Sequence, residues 1–202
     1  MEFGRALSFP WKSEGWISKI AIGSILSLIP LLNLANYGYG MEVARRVASG
    51  DVEELPAWDQ LGRYFVRGLA VGLAAFLYML PGMLLAGLLL VGTGFQDEYA
   101  PLAAAIYFGW SFILMLMMPI AVLRYALTDQ WFTMFDFGWI WSVIGRNLGT
   151  YLAILIVGVV LSMLLIVLGT LALGIGAIVA GFWSVLVFFH LFGQLGRKAV
   201  TG

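Results

Sequence analysis

Residues 147–196 read NLGTYLAILIVGVVLSMLLIVLGTLALGIGAIVAGFWSVLVFFHLFGQLG, fifty positions without one Asp, Glu, Lys or Arg. A helix rises 1.5 Å per residue, so about 20 apolar residues cross the hydrocarbon core of a bilayer. The run holds two crossings with a tight connection near Gly169–Gly176. Shorter charge-free runs occupy residues 20–41, 68–96 and 99–123, and each of the last two is long enough for one crossing. Lipid offers the backbone no hydrogen-bond partners, and these runs lack the alternation of a membrane β-barrel. Helices are what remains.

The composition agrees. The chain has 202 residues, 62% hydrophobic and 11% charged, with a mean hydropathy of +0.96, whereas a soluble domain carries roughly a quarter charged residues. Eleven basic and eleven acidic residues cancel, leaving no basic field for nucleic acid. With no cysteine and a single histidine, disulfides, thiolate chemistry, iron–sulfur clusters and sites needing two imidazoles are excluded. The expected fold is an all-α integral membrane bundle, with about four full transmembrane helices, a Pro-broken first helix and interfacial amphipathic segments.

Working outward, residues 1–202 form one membrane domain. Residues 1–19 mix Phe3, Phe9, Trp11 and Trp16 with charges and suit the headgroup level; their basic residues precede an apolar run too long for a signal core and without a small-x-small cleavage site. Residues 20–48 form a first helix broken at Ile29-Pro30-Leu31-Leu32-Asn33, with Asn33 a possible cap for the second half. Residues 49–63 make a polar loop ending Leu55-Pro56-Ala57-Trp58-Asp59, in which Asp59 is expected to cap the next helix. Residues 64–93 and 100–127 make a helical hairpin, with Pro101 in a first turn. Residues 129–146 form an aromatic interfacial segment, and 147–196 the second hairpin.

The basic residues set the orientation. Regions 42–67, 124–146 and 197–202 hold four, two and two of them, while 93–100 and 169–175 hold none. The former three are expected on the cytoplasmic side. If residues 20–41 span, the N-terminus with Arg5, Lys12 and Lys19 falls outside. If they re-enter at Pro30–Asn33, all eleven basic residues share one side. Trp16 to Tyr39 measures about 34 Å as a straight helix, enough to cross, so both forms stay open. An aromatic–Asp pair ahead of a basic helix start occurs twice, at Trp58-Asp59 and Phe135-Asp136, as a faint internal echo.

Several features together resemble one family of uncharacterised prokaryotic membrane proteins, domain of unknown function 4013. They are Ser8-Phe9-Pro10-Trp11, the Pro30 break, Gly38-Tyr39 followed by Val43-Ala44-Arg45, Gly50 before Leu55-Pro56-Ala57-Trp58-Asp59, Phe135-Asp136-Phe137, and His190-Leu191-Phe192-Gly193-Gln194. The resemblance implies a polytopic protein of a prokaryotic inner membrane and supplies no activity or site residues.

No catalytic or metal constellation emerges. His190, within the last apolar helix, either bonds a neighbour such as Gln194 or ligates a single chlorophyll-type pigment or haem. Pro30, Asn33 and Asn36 mark either a packed kink or a solute site at half-helix ends. Arg45, Arg46, Arg63 and Arg67 either fix topology or bind anionic headgroups. Trp131, Phe132, Phe135, Phe137, Trp139 and Trp141 form an interfacial aromatic patch. Gly68-x-x-x-Gly72 and Gly145-x-x-x-Gly149 suggest close helix packing. Because intramembrane chemistry leaves polar traces, the expected function is a non-enzymatic subunit or scaffold, packing against lipids and other membrane proteins or copies of itself. A small channel or transporter for an uncharged or lipid-like solute, or a pigment-binding subunit, are the alternatives.

Overall fold

The computed structural model describes residues 2–51, 54–171 and 175–201. Eight helices follow in order: α1 (Phe3–Lys12), α2 (Trp16–Ser27), α3 (Leu34–Ser49), α4 (Leu61–Gly92), α5 (Ala100–Thr128), α6 (Phe137–Arg146), α7 (Leu148–Leu171) and α8 (Ile175–Thr201). Four stretches are long and apolar enough to cross a bilayer: Trp58–Gly92, Asp97–Thr128, Leu148–Thr170 and Gly176–Ala199. They form two hairpins, α4–α5 and α7–α8. Helix α8 is the hub, touching α1, α2, α3, α5 and α7. Of the connection expected near Gly169–Gly176, residues 172–174 lie outside the described residues. The helices it joins approach so closely that a side chain at Gly169 would strike the Gly176 backbone.

The first apolar segment does not span. The Trp58 indole stacks on the Tyr39 ring at 4.2 Å and donates from Nε1 to the Lys19 carbonyl at 2.9 Å. Residues 19 and 39 therefore meet at one indole. In a straight helix they would lie about 30 Å apart. The fold-back is held by Asn36, whose amide nitrogen lies 3.0 Å from the Gly23 carbonyl, 2.9 Å from Ser27 Oγ and 2.9 Å from Asn33 Oδ1. Pro30 makes the break possible, since it has no N–H to continue the helical ladder. Two helices of 12 and 16 residues thus make a re-entrant pair, the arrangement in which the basic residues share one side. At the other end, the Glu2 N–H donates to Gln194 Oε1 at 2.8 Å, so the N-terminus lies beside the C-terminal end of α8.

Local chemistry departs from expectation at two caps. Asn33 precedes α3 without a side-chain cap bond, because its carbonyl oxygen is engaged by Asn36. Asp59 lies inside a 3-10 turn, Trp58–Gln60, and neither this turn nor α4 has a side-chain cap. Asp136 does cap α6, accepting from the Trp139 N–H at 3.1 Å. Helix α3 stops at Gly50, with φ +98°, in the left-handed region open to glycine.

Two prolines sit within spans, Pro81 in α4 and Pro119 in α5. Each removes a ladder bond, and each has an aromatic donor beside it. Trp110 Nε1 donates to the Tyr78 carbonyl at 2.7 Å, and Tyr151 Oη donates to the Leu116 carbonyl at 2.5 Å. Both acceptors lie three residues before the proline. Gly82 leaves the space that the Trp110 ring occupies.

Helices α3 and α4 cross backbone to backbone. A side chain at Gly38 would collide with the Tyr64 carbonyl, and one at Gly68 with the Leu34 carbonyl. Gly72 has only Leu34 Cδ2 nearby, at 3.8 Å. Gly145 and Gly149 have no neighbour within 4 Å of an added Cβ among the described residues, so no described helix packs closely against them. We therefore expect Gly38→Val or Gly68→Val to destabilise the detergent-solubilised protein by about 2 kcal/mol or more, and Gly149→Ala to leave its melting temperature within a degree or two; equal effects at the two sites would contradict this packing. The topology has its own test. In this cysteine-free chain, Gly4→Cys and Asp51→Cys should react with a membrane-impermeant thiol reagent from one side and Gln96→Cys from the other, whereas a spanning first segment would put Gly4→Cys with Gln96→Cys.

Candidate functional site

The strongest electrostatic feature lies where α3, α4 and the end of α5 meet. Arg67 is 3% exposed although it sits in the first turns of a span. Its Nη1 donates to Glu42 Oε2 at 2.9 Å, while Nε and Nη2 both donate to Asp129 Oδ1, at 2.9 and 2.5 Å. Glu42, 5% exposed, also accepts from Arg45 Nε and Nη2 at 3.1 and 2.6 Å and lies 3.5 Å from Arg46. Asp129 accepts from Arg63 at 2.8 Å. Two carboxylates therefore serve four guanidiniums, and Asp51 adds a longer contact of 3.9 Å to Arg46. Burial pushes the Glu42 carboxyl up, but its bonds to Arg45 and Arg67 outweigh that and hold it below the ordinary range. Burial likewise raises Asp129, and Arg67 with Arg63 reverses the shift.

This cluster gathers Arg45, Arg46, Arg63 and Arg67, each paired with a carboxylate of the chain. The sequence does not mark these two acids as the partners of Arg67. Glu42 stands three and four residues before Arg45 and Arg46, a spacing that pairs charges on one helix face. Asp129 directly follows an apolar span, and its left-handed backbone (φ +56°) turns the chain at that point.

The other sequence-read positions fall elsewhere. His190 is 0% exposed, with Phe9 against its ring at 4.5 Å and Gln194 Nε2 3.2 Å from Nδ1; Nε2 is buried without a hydrogen-bond partner. The Pro30–Asn33 break directs its amides into the α2–α3 hairpin. The aromatic patch divides. Phe135 stacks on Tyr78 at 5.1 Å and Phe137 meets the same ring edge-on at 5.9 Å. Tyr78 donates to the Met134 carbonyl at 2.5 Å, and Trp139 lies under Arg124 at 4.5 Å. Trp131, Phe132 and Trp141 face outward.

A cavity of about 360 Å³ opens among α3, α4, α5, α7 and α8. Its walls include Pro119 and Val122 of α5, Ser162 of α7, and Ser184, Phe188 and Phe192 of α8. Neither His190 nor any charged side chain lines it. Among the described residues no three His, Asp or Glu side chains gather as a metal site.

The ion-pair cluster makes a pH prediction. Because Glu42 and Asp129 titrate below their unfolded values, their stabilisation is fully present above about pH 5 and is lost as pH falls through the depressed folded values. Melting in detergent should be level from pH 7 to about 5 and drop below that. Arg67→Gln should cost about 3 kcal/mol at neutral pH and flatten the acid limb; an unchanged melting temperature would show that the cluster carries no stability.

Among protein families, the one described as "Protein of unknown function (DUF4013)" matches residues 22–174. No curated protein and no solved structure matches the chain. The family match runs from within α2 through the α3–α4 crossing and the ion-pair cluster to the end of α7, so this integral membrane protein belongs to the DUF4013 family.

Proposed function

We propose that the chain is a non-catalytic membrane scaffold that holds a lipid acyl chain in the cleft among α5, α7 and α8. The observation behind this reading is the 360 Å³ apolar cavity, located at the depth of the spans. Side chains of both hairpins line the cleft, and Pro119 of α5 forms part of its wall. An unfilled void forfeits the dispersion contacts of its lining, and an apolar site gives water too few partners to stay. Inside a bilayer the abundant molecule of the right chemistry is a lipid tail.

Paired charge supports the same reading. The cluster around Arg67 satisfies itself and joins the re-entrant hairpin to α4–α5, as befits a rigid framework. The basic residues of 42–67, 124–146 and the C-terminus gather at one end of the spans, which argues for a cytoplasmic placement of that end in a prokaryotic inner membrane. The outward faces of α4, α5 and α7 carry many exposed apolar side chains, suited to lipid, to other membrane proteins or to further copies of the chain.

Native mass spectrometry after gentle extraction tests the cleft. Wild-type protein and Val159→Trp, altered on an exposed part of α7, should retain bound lipid. Ser162→Trp, which fills the cleft, should retain about tenfold less, with its helical circular dichroism unchanged. Equal lipid retention by a folded Ser162→Trp protein would refute the proposal.

A further inference from the structure

We infer that a second, polar cleft, where α6, α7 and α8 meet, binds an anionic phosphate group, with the headgroup of a membrane phospholipid as its source. The inference rests on the lipid-binding reading above and names the class of lipid. The cleft has a volume of about 180 Å³, and its lining includes Trp139, Ser142, Arg146, Asn147 and Lys198. Two of these are cations and none is an acid.

The isolation of Arg146 sets it apart. Arg5, Arg45, Arg46, Arg63, Arg67 and Arg124 each pair with a carboxylate of this chain. Arg146 makes no ion pair among the described residues, and its side of the cleft offers only neutral groups. Ser142 Oγ donates to the Trp139 carbonyl at 2.8 Å, and Asn147 Nδ2 to the Val143 carbonyl at 3.1 Å. This leaves the Arg146 guanidinium, beside Lys198, to set the sign of the site. A guanidinium is suited to oxyanions because it presents several donors in a fixed plane.

Depth points to the headgroup. The α7 span begins at Leu148 and the α8 span ends at Ala199. Arg146, Asn147 and Lys198 therefore lie where two spans leave the hydrocarbon, at the level of lipid phosphates. Gly145 and Gly149 flank Arg146 with open space at their Cα atoms, so a ligand can approach the backbone there. This is a use for the small-residue pair that no described helix occupies. The acyl cleft reaches Phe192, six residues before Lys198 on α8 and so about 9 Å deeper. One phospholipid has its phosphate and its tail at those two depths.

The test uses the full chain reconstituted with vesicles of equal phosphatidylglycerol and phosphatidylcholine, followed by native mass spectrometry of the lipid that co-purifies. Wild type should be enriched about tenfold in phosphatidylglycerol. Arg146→Gln with Lys198→Gln should bring the ratio close to one while total bound lipid is unchanged, and Arg146→Lys alone should keep most of the enrichment. Ser162→Trp reports on the acyl cleft separately, by losing lipid of both kinds. A second arm adds inorganic phosphate to detergent-solubilised protein. Stabilisation by phosphate that depends on Arg146, without headgroup enrichment, would keep the anion site and make free phosphate its source. Neither enrichment nor stabilisation in folded wild type would overturn the inference, whatever Ser162→Trp shows.

Discussion

The Arg67 guanidinium ties three parts of the chain together. One edge binds Glu42 of the re-entrant hairpin, the other binds Asp129 at the end of α5, and the side chain itself belongs to α4. A charge this deep, with no partner, would cost several kcal/mol in desolvation. Arg67 is therefore tolerable only if both acids are in place, and they are in place only if α3 has folded back against α4. The backbone contact at Gly38 and Gly68 allows that approach, since any larger residue would hold the two helices apart and take Glu42 out of reach. Ion pair and close crossing are two sides of one constraint.

The same accounting applies to uncharged polar groups within the bilayer. Proline interrupts the backbone ladder of α4 and α5, and hydrocarbon supplies no substitute partner. Trp110 and Tyr151 donate close by, to the Tyr78 and Leu116 carbonyls, each one residue after the carbonyl that Pro81 or Pro119 leaves without its helical partner. Their own polar tips would otherwise be buried without a partner. Each bond thus satisfies a ring donor within the bilayer and ties neighbouring spans together, α5 to α4 and α7 to α5. Pro119 also lines the 360 Å³ cavity, with Met118 and Val122 beside it on α5.

Much of this architecture was legible in the sequence because it rests on local properties. Long charge-free runs announce the spans, and the one-sided distribution of basic residues favours a re-entrant first segment even though its length permits crossing. Pro30 marks the break. The sites were less legible. Glu42 and Asp129 are 25 and 62 residues from Arg67, and nothing in composition distinguishes a carboxylate that will be buried from one on a solvated loop. The two small-xxx-small pairs look alike as strings, yet Gly68 lies against a backbone while Gly145 and Gly149 face open space. Spacing shows that a helix face is narrow; it does not show what fills the space beside it.

That distinction bears on which cations are available to a ligand. By count, residues 42–67 look like the basic patch of the molecule, with four arginines. Within the fold each of them already shares Glu42 or Asp129, and Arg67 is buried between the two. Arg146 reads as a lone charge between aromatic residues and an apolar helix. It nonetheless lies at the membrane boundary with a second basic side chain 52 positions on, Lys198, across a small polar cleft. Affinity for an anion depends on charge left uncompensated at the right depth, and the total number of basic residues nearby does not measure that. A scaffold of this build separates the two tasks: arginines such as Arg67, paired with acids, hold the helices, and Arg146, without an ion pair among the described residues, is left to meet the bilayer surface.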